Sequence, residues 1–312
     1  MRYINTLQAG ETIRNVYLCR GKRSAETKTK KPYDSLILSD KTGSLDGKIW
    51  EPGSPGIEDY KEQDFIEVTG DVINYNNNLQ LNIRKLRVAS KEDYVLADYL
   101  STTDKNPDEM FNELIGFIDQ IENPYLKAGV EFFFLKDEAF IKKFKAHSAA
   151  KTMHHSFSGG LLEHTLSIMR LCAYMTKAYP ILNKDLLFAS ALCHDIGKTR
   201  ELSPLPENDY TDEGQLIGHI VIGIEMLDEA INSIPDFPPI LAYEWKHCIV
   251  AHHGEFEFGS PKKPAIVEAM ALHLADDMDA KMQMFKEILK EKQGEDWLGY
   301  NKALVSNIRR TT

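Results

Sequence analysis

The apolar period of the chain changes once, near residue 90, and that change decides what can fold. Up to that point apolar residues recur at every second position. The stretches are YDSLILSD at 33–40, LDGKIWE at 45–51, DFIEVTGDVINY at 64–75 and LQLNIRKLRVA at 79–89. A period of two puts alternate side chains on opposite faces of a strand. DKTG at 40–43, EPGSPG at 51–56 and NNN at 76–78 punctuate these runs as turns or loops. From Asp108 onward the spacing becomes three to four, as in GLLEHTLSIMRLCAYMTKAY at 160–179, and it reads as helical to the end. The prolines at 124, 180, 235, 238, 239, 261 and 264 fall mostly between helical stretches. The expectation is a multi-domain α+β chain: a five-stranded barrel over 1–90, a polar linker over 91–107, and an all-α domain over 108–312.

Charge divides at the same place. Residues 1–90 carry 14 Lys/Arg against 12 Asp/Glu, a net of +2; from the whole-chain −10, residues 91–312 carry −12. Arg20, Lys22, Arg23, Lys28, Lys30 and Lys31 cluster against one acid, Glu26. Such a run reads as a solvated flexible loop or as a loop contacting phosphates. The aromatics Tyr17, Tyr33, Trp50 and Tyr75 either pack within the barrel or offer faces for base stacking. Four cysteines with no CxxC pair fit free thiols in a reducing cytoplasm. No export signal and no membrane-length apolar run are visible, so a cytoplasmic protein without membrane association is expected.

The helical half carries the chemistry. Nine of the ten histidines lie between His154 and His273. CHDIGK at 193–198 puts a His and an Asp side by side where Gly197 breaks a helix, so both can turn to one site. An imidazole nitrogen and a carboxylate with two oxygens are a bridging pair for cations. His164, His219, His252, His253 and Asp276 would supply further ligands, spread over separate helices, as helical bundles build dinuclear sites. A His/carboxylate set without thiolate suits Mn²⁺, Fe²⁺, Co²⁺, Ni²⁺ or Mg²⁺ better than structural zinc, and a pair of such ions serves phosphoryl transfer.

Two resemblances follow. Leu38, Asp40, Thr42, Gly43 and Trp50, followed by Val68, Gly70 and Val72, resemble the hairpin and strand of nucleic-acid-binding OB-folds. The series H…HD…H…HH…D resembles the HD superfamily of metal-dependent phosphohydrolases. More narrowly, HHSFSGGLLEHTLSI at 154–168 and HDIGKTREL at 194–202 resemble the YhaM-like bacterial 3′→5′ exoribonucleases. That resemblance implies one metal on His164, His194, Asp195 and Asp276, and a second on Asp195, His219 and His252. His253 is then a further ligand or a phosphate contact. In LADDMDAK the family pattern selects Asp276 over Asp277 and Asp279, which fall to supporting or surface positions. Asp195, Lys198 and His253 are the expected catalytic residues. His155, Lys198, Lys28, Lys30, Lys31 and Tyr33 are the expected substrate contacts. His154 is a weaker contact, and His147, His247 and His273 are structural.

The implied activity is metal-dependent 3′→5′ exonuclease cleavage of single-stranded RNA, and of DNA as a second substrate, to nucleoside 5′-monophosphates. Two divalent ions are expected, Mn²⁺ first among them. A homo-oligomer is compatible with the sequence. The alternatives are an HD-type nucleotidase or cyclic-nucleotide phosphodiesterase, and a non-catalytic nucleic-acid-binding adaptor.

Overall fold

The computed structural model describes residues 1–27, 29–76, 78–99, 103, 105–151, 157–291 and 296–311. The chain forms two compact units, Met1–Thr102 and Thr103–Thr312.

In the first unit the alternating runs become β1 (Thr12–Glu26), β2 (Pro32–Asp40), β3 (Gly43–Ile49), β4 (Phe65–Tyr75) and β5 (Asn78–Val88). They close a barrel in the order β1-β2-β3-β5-β4. β1 pairs antiparallel with β4 through Thr12–Leu18 and with β2 through Leu18–Glu26, while β3 and β5 run parallel. This is the OB-fold topology. Closure needs a bent first strand, and the register shift between Cys19 and Gly21 supplies the bend. Tyr17, Leu36, Leu38, Ile66, Val68, Val72, Leu81 and Leu86 fill the interior. Asp40 shapes the turn after β2: its Oδ1 accepts from the Thr42 amide at 2.7 Å and its Oδ2 from the Ile4 amide at 2.7 Å.

Two expectations change here. The basic segment 20–31 is mostly strand: β1 continues to Glu26, and beyond it hydrogen bonds join Thr27 to Lys31 and Lys30 to Thr27. Pairing with β2 satisfies its backbone, so a polar ribbon needs no apolar alternation. The first part of the segment read as linker belongs to the barrel unit. Tyr94 stacks on Phe65 with centroids 3.9 Å apart, and the Tyr99 hydroxyl donates to the Val16 carbonyl at 3.0 Å.

The second unit contains α1 (Pro107–Ile118), α2 (Pro124–Phe134), α3 (Glu138–Ala146), α4 (Gly160–Ala178), α5 (Lys184–Cys193), α6 (Lys198–Glu201), α7 (Asp212–Leu216), α8 (His219–Asn232), α9 (Pro239–Ala251) and α10 (Val267–Glu291). Asn106, Asn123, Asp137, Asn183 and Thr211 cap five of them by accepting from amides of the first turn. Every residue of α5 from Leu186 to Cys193 is buried, so this helix runs through the core. The helical reading fails after Glu291. The chain continues into an antiparallel ribbon, β6 (Trp297–Asn301) and β7 (Ser306–Arg309), because Gly299 and the turn after Asn301 break the helix while Leu298 and Ile308 bury one face. No helix among the described residues is long and apolar enough to cross a membrane.

Two glycines give opposite expectations. A Cβ on Gly70, at the register shift of β4, would collide with the Asn82 carbonyl, whereas one on Gly116 in α1 would meet nothing. Gly70→Ala should destabilise by about 1–3 kcal/mol, and Gly116→Ala should stabilise by about 0.5–1 kcal/mol. Urea denaturation of both variants checks this pair.

Candidate metal centre and strand-binding face

The end of α5 delivers His194 and Asp195 into the middle of the second unit, where they are 0% and 2% exposed. His164 enters from the first turns of α4, His219 from the first residue of α8, His252 and His253 from the end of α9, and Asp276 from α10. Gly197 does something other than break the helix. Its φ is −61°, an ordinary right-handed value, and a Cβ there would collide with the His219 carbonyl and the Gly223 amide. Glycine therefore lets the start of α8 press against the HD turn. Gly254, with φ 78°, is needed for two reasons: its backbone is left-handed, and a Cβ would strike the His273 ring.

The imidazoles share one orientation. The Nδ1 of His194 lies 2.8 Å from the Ala191 carbonyl, that of His252 2.7 Å from Ile249, and that of His253 2.8 Å from Phe258. The Nδ1 of His164 lies 2.7 Å from the Asp279 carboxylate, and that of His219 2.9 Å from Glu201. Each Nδ1–H donates outward, which leaves Nε2 facing the site. His164, His194 and Asp276 form one donor group and His219, His252 and His253 another, with ligand atoms within 4.8 Å of one another in each. Asp195 joins them. Its Oδ2 lies 3.4 Å from His164 Nε2 and 3.3 Å from His194 Nε2, and its Oδ1 lies 3.6 Å from His219 Nε2 and 3.7 Å from His252 Nε2.

Burial pushes the Asp195 carboxyl up, but the charges of Lys198 and His194 overcome it and hold the group well below the usual carboxylate range. Lys198 Nζ lies 2.6 Å from Oδ2. Burial, reinforced by His253, pushes His252 well below the ordinary imidazole value, so it is neutral. Burial would also lower His164, but Asp195, Asp276 and Asp279 raise it well above that value. Asp195 Oδ1, His219 Nε2 and His252 Nε2 are buried without a hydrogen-bond partner among the described residues. Orphaned acceptors facing one another around a carboxylate are the donor set of a divalent cation.

Other expected residues separate clearly. A cavity of about 450 Å³ opens on this centre and is lined by His164, Lys198, His253, Asp276 and also His273. Asp277 also lines it, paired with Lys281 at 2.7 Å. His147 is buried against the Ser148 and Leu202 carbonyls, and His247 accepts from the Ala265 amide. His154, His155 and Lys28 lie outside the described residues. The reading of the residues missed Glu201 altogether. His273 and Asp279 each stand three positions from Asp276, a helical spacing that shares a face and was there to be used.

On the barrel, Tyr17 is core, with its hydroxyl on the Arg2 carbonyl. Trp50 and Tyr75 are exposed, Tyr33 packs on Trp50 at 5.4 Å, and Trp50 Nε1 donates to Asn82. With Lys48 these aromatics line a groove of about 500 Å³. Lys30 and Lys31 are exposed at the turn between β1 and β2, whereas Lys22 is held by the Tyr60 carbonyl at 3.1 Å.

Comparison with known proteins agrees with both halves. The HD domain family matches residues 161–281. The 3′-5′ exoribonuclease YhaM of Bacillus subtilis is 34% identical over 291 residues, covering 92% of this chain and 91% of that protein. Its namesake in Listeria innocua is 36% identical over 295 residues, again covering 92% and 91%. Among solved structures, a domain of replication protein A from Methanococcus maripaludis aligns with 29% of this chain and 96% of its own, at 24% identity and a TM-score of 0.25. The HD domain makes the second unit a divalent-metal-binding one, and the near-complete coverage of the YhaM proteins extends the kinship to the barrel as well. The chain is a nuclease and belongs to the YhaM family of 3′-5′ exoribonucleases.

Proposed function

We propose that this chain is a hydrolytic 3′→5′ exonuclease that releases nucleoside 5′-monophosphates from single-stranded RNA, with single-stranded DNA as a second substrate. The observation that carries the reading is the position of Asp195, whose two oxygens face two separate groups of imidazoles. His164, His194, Asp195 and Asp276 would hold one divalent ion. Asp195, His219, His252 and His253 would hold a second. Nitrogen and oxygen donors without thiolate favour Mn²⁺. Such a pair, when bound, supplies an activated water and neutralises charge on the phosphoryl group.

The chain's own residues do the rest. Asp279 and Glu201 fix the rings of His164 and His219. Lys198, lining the cavity beside Asp195, is placed to take a non-bridging phosphate oxygen. The barrel binds strand by stacking on Trp50 and Tyr75 and by phosphate contact at Lys28, Lys30 and Lys31. Neither contact reads the ribose 2′-hydroxyl, which is why DNA is included. Four buried free thiols fit a cytoplasmic setting.

With a 5′-labelled single-stranded RNA and Mn²⁺, the expected result is a ladder shortening from the 3′ end, with 5′-monophosphates as product. Internal fragments or 3′-monophosphates would exclude the mechanism. Asp195→Ala should abolish hydrolysis and lower bound metal while helical circular dichroism is kept. Glu201→Gln should lower metal affinity or turnover by about 10–100-fold, and a metal titration against rate tells which. Replacing Lys28, Lys30 and Lys31 by Ala should reduce the logarithmic salt slope of binding by about 0.7 for each phosphate that is no longer neutralised. Turnover at saturating substrate should hold, and an unchanged slope would remove these lysines from the interface.

A further inference from the structure

The β6–β7 ribbon has no part in the metal centre and was invisible as a strand pair in the sequence, yet it carries the marks of a binding surface. Its register shifts between Trp297 and Gly299, which leaves Leu298 as the extra residue of a bulge where Gly299 has φ 89°. Without a bulge, Trp297 and Tyr300, three apart, would point to opposite faces. With it, Trp297 pairs with Arg309 and Tyr300 with Asn307, so all four share the face opposite to buried Leu298 and Ile308. Trp297 is 62% and Tyr300 60% exposed. The guanidinium of Arg309 lies 5.8 Å from the Trp297 ring.

The ribbon is anchored and aimed. The Arg310 side chain donates to the Leu289 carbonyl at 2.6 Å, near the end of α10. In the turn after β6, Asn301 accepts from the amides of Ala303 and Leu304. Ala303 is part of the wall of the cavity that holds His164, Lys198, His253 and Asp276. The charge is also out of keeping with its surroundings. Residues 296–311 carry Lys302, Arg309 and Arg310 against Asp296, a net of +2, within a stretch, 91–312, of net −12.

We propose that the β6–β7 ribbon is a second strand-binding element, which holds the nucleotides adjoining the 3′ end while that end occupies the metal cavity. Bases stack on Trp297 and Tyr300, and phosphates contact Lys302 and Arg309. The proposal rests on the exonuclease reading above and adds the path of the strand within the catalytic unit. Two exposed aromatic faces flanked by cations, on an element whose turn forms the cavity wall, fit a single-stranded polyanion with unpaired bases.

The test compares the full-length chain with the double variants Trp297→Ala/Tyr300→Ala and Trp297→Phe/Tyr300→Phe, on a 20-nucleotide RNA. The alanine variant should raise KM about ten- to a hundredfold, the range expected of stacked bases, with kcat within about twofold. The phenylalanine variant should restore KM within about threefold, since it keeps the aromatic faces. Light scattering should give one mass for all three proteins. An unchanged KM, a fall in kcat alone, no rescue by phenylalanine, or a change of mass that points to an interface between copies would each overturn the proposal. If the wild-type chain fails to shorten the RNA at all, the exonuclease reading itself fails, and the two failures are told apart.

Discussion

A carboxylate at the end of a helix buried on every side can keep its charge only if cations reach it. Asp195 meets that condition through Lys198 and His194, and its two oxygens face the Nε2 atoms of four imidazoles. His252, neutral and donating through Nδ1, turns the lone pair of its Nε2 toward that carboxylate, which is repulsive. Each orphaned buried polar group costs about 1–3 kcal/mol, and three of them sit here. A fold that concentrates such costs at one point is completed by a positive ion. The rest of the second unit serves this arrangement: α5 must be apolar all round to carry Asp195 inside, and Gly197 must lack a side chain for α8 to bring His219 against it.

The ring orientations show how little is left to chance around that point. Three of the five Nδ1 atoms are held by backbone carbonyls, and two of those carbonyls belong to the helix turn just before the histidine. A backbone acceptor cannot be removed by substitution, and it fixes the tautomer without adding charge. The two carboxylate acceptors, Asp279 and Glu201, stand one in each donor group. Under the proposed assignment each ion would thus see one histidine made more basic by an anion behind it. Glu201 also accepts from the His219 amide at 2.9 Å, so one side chain sets both the start of α8 and the ring it carries.

How much of this was legible follows from what leaves a trace in side-chain identity. The barrel was legible because its apolar residues alternate. The residues that gather around Asp195 were legible because His and Asp stand out among apolar helix positions, above all in CHDIGK. The carbonyl partners of Nδ1 were not legible, since any residue type supplies a carbonyl. Glu201 was hidden because the chain turns through α6 between it and the HD pair, so no helical spacing links them. Segment 20–26 was misread because a solvent-facing strand has polar residues on both faces near its end. The C-terminal ribbon was missed because its two short strands bury only Leu298 and Ile308, and its bulge breaks the period of two. Tyr75 is the last residue of β4 and Trp50 directly follows β3, and at a strand end the period of two no longer tells which face an aromatic takes.

The charge of the catalytic unit poses a last problem, because a polyanion must approach a stretch of net −12. Net charge is a poor guide at this range. At physiological ionic strength the screening length is about 8 Å, so acids farther away than a few side chains count for little. Under the two proposals the strand would meet, near the cavity, Lys198, the cations that the donor groups call for, and the ribbon's Lys302 and Arg309. Under the proposed function the barrel's slight positive charge and exposed aromatics would then need only to raise the local concentration of strand, a task for which stacking and a few phosphate contacts suffice. Under the proposed function, specificity for the end of the strand would rest with the cavity, where buried acceptors are not satisfied by phosphate alone and a cation would stand between.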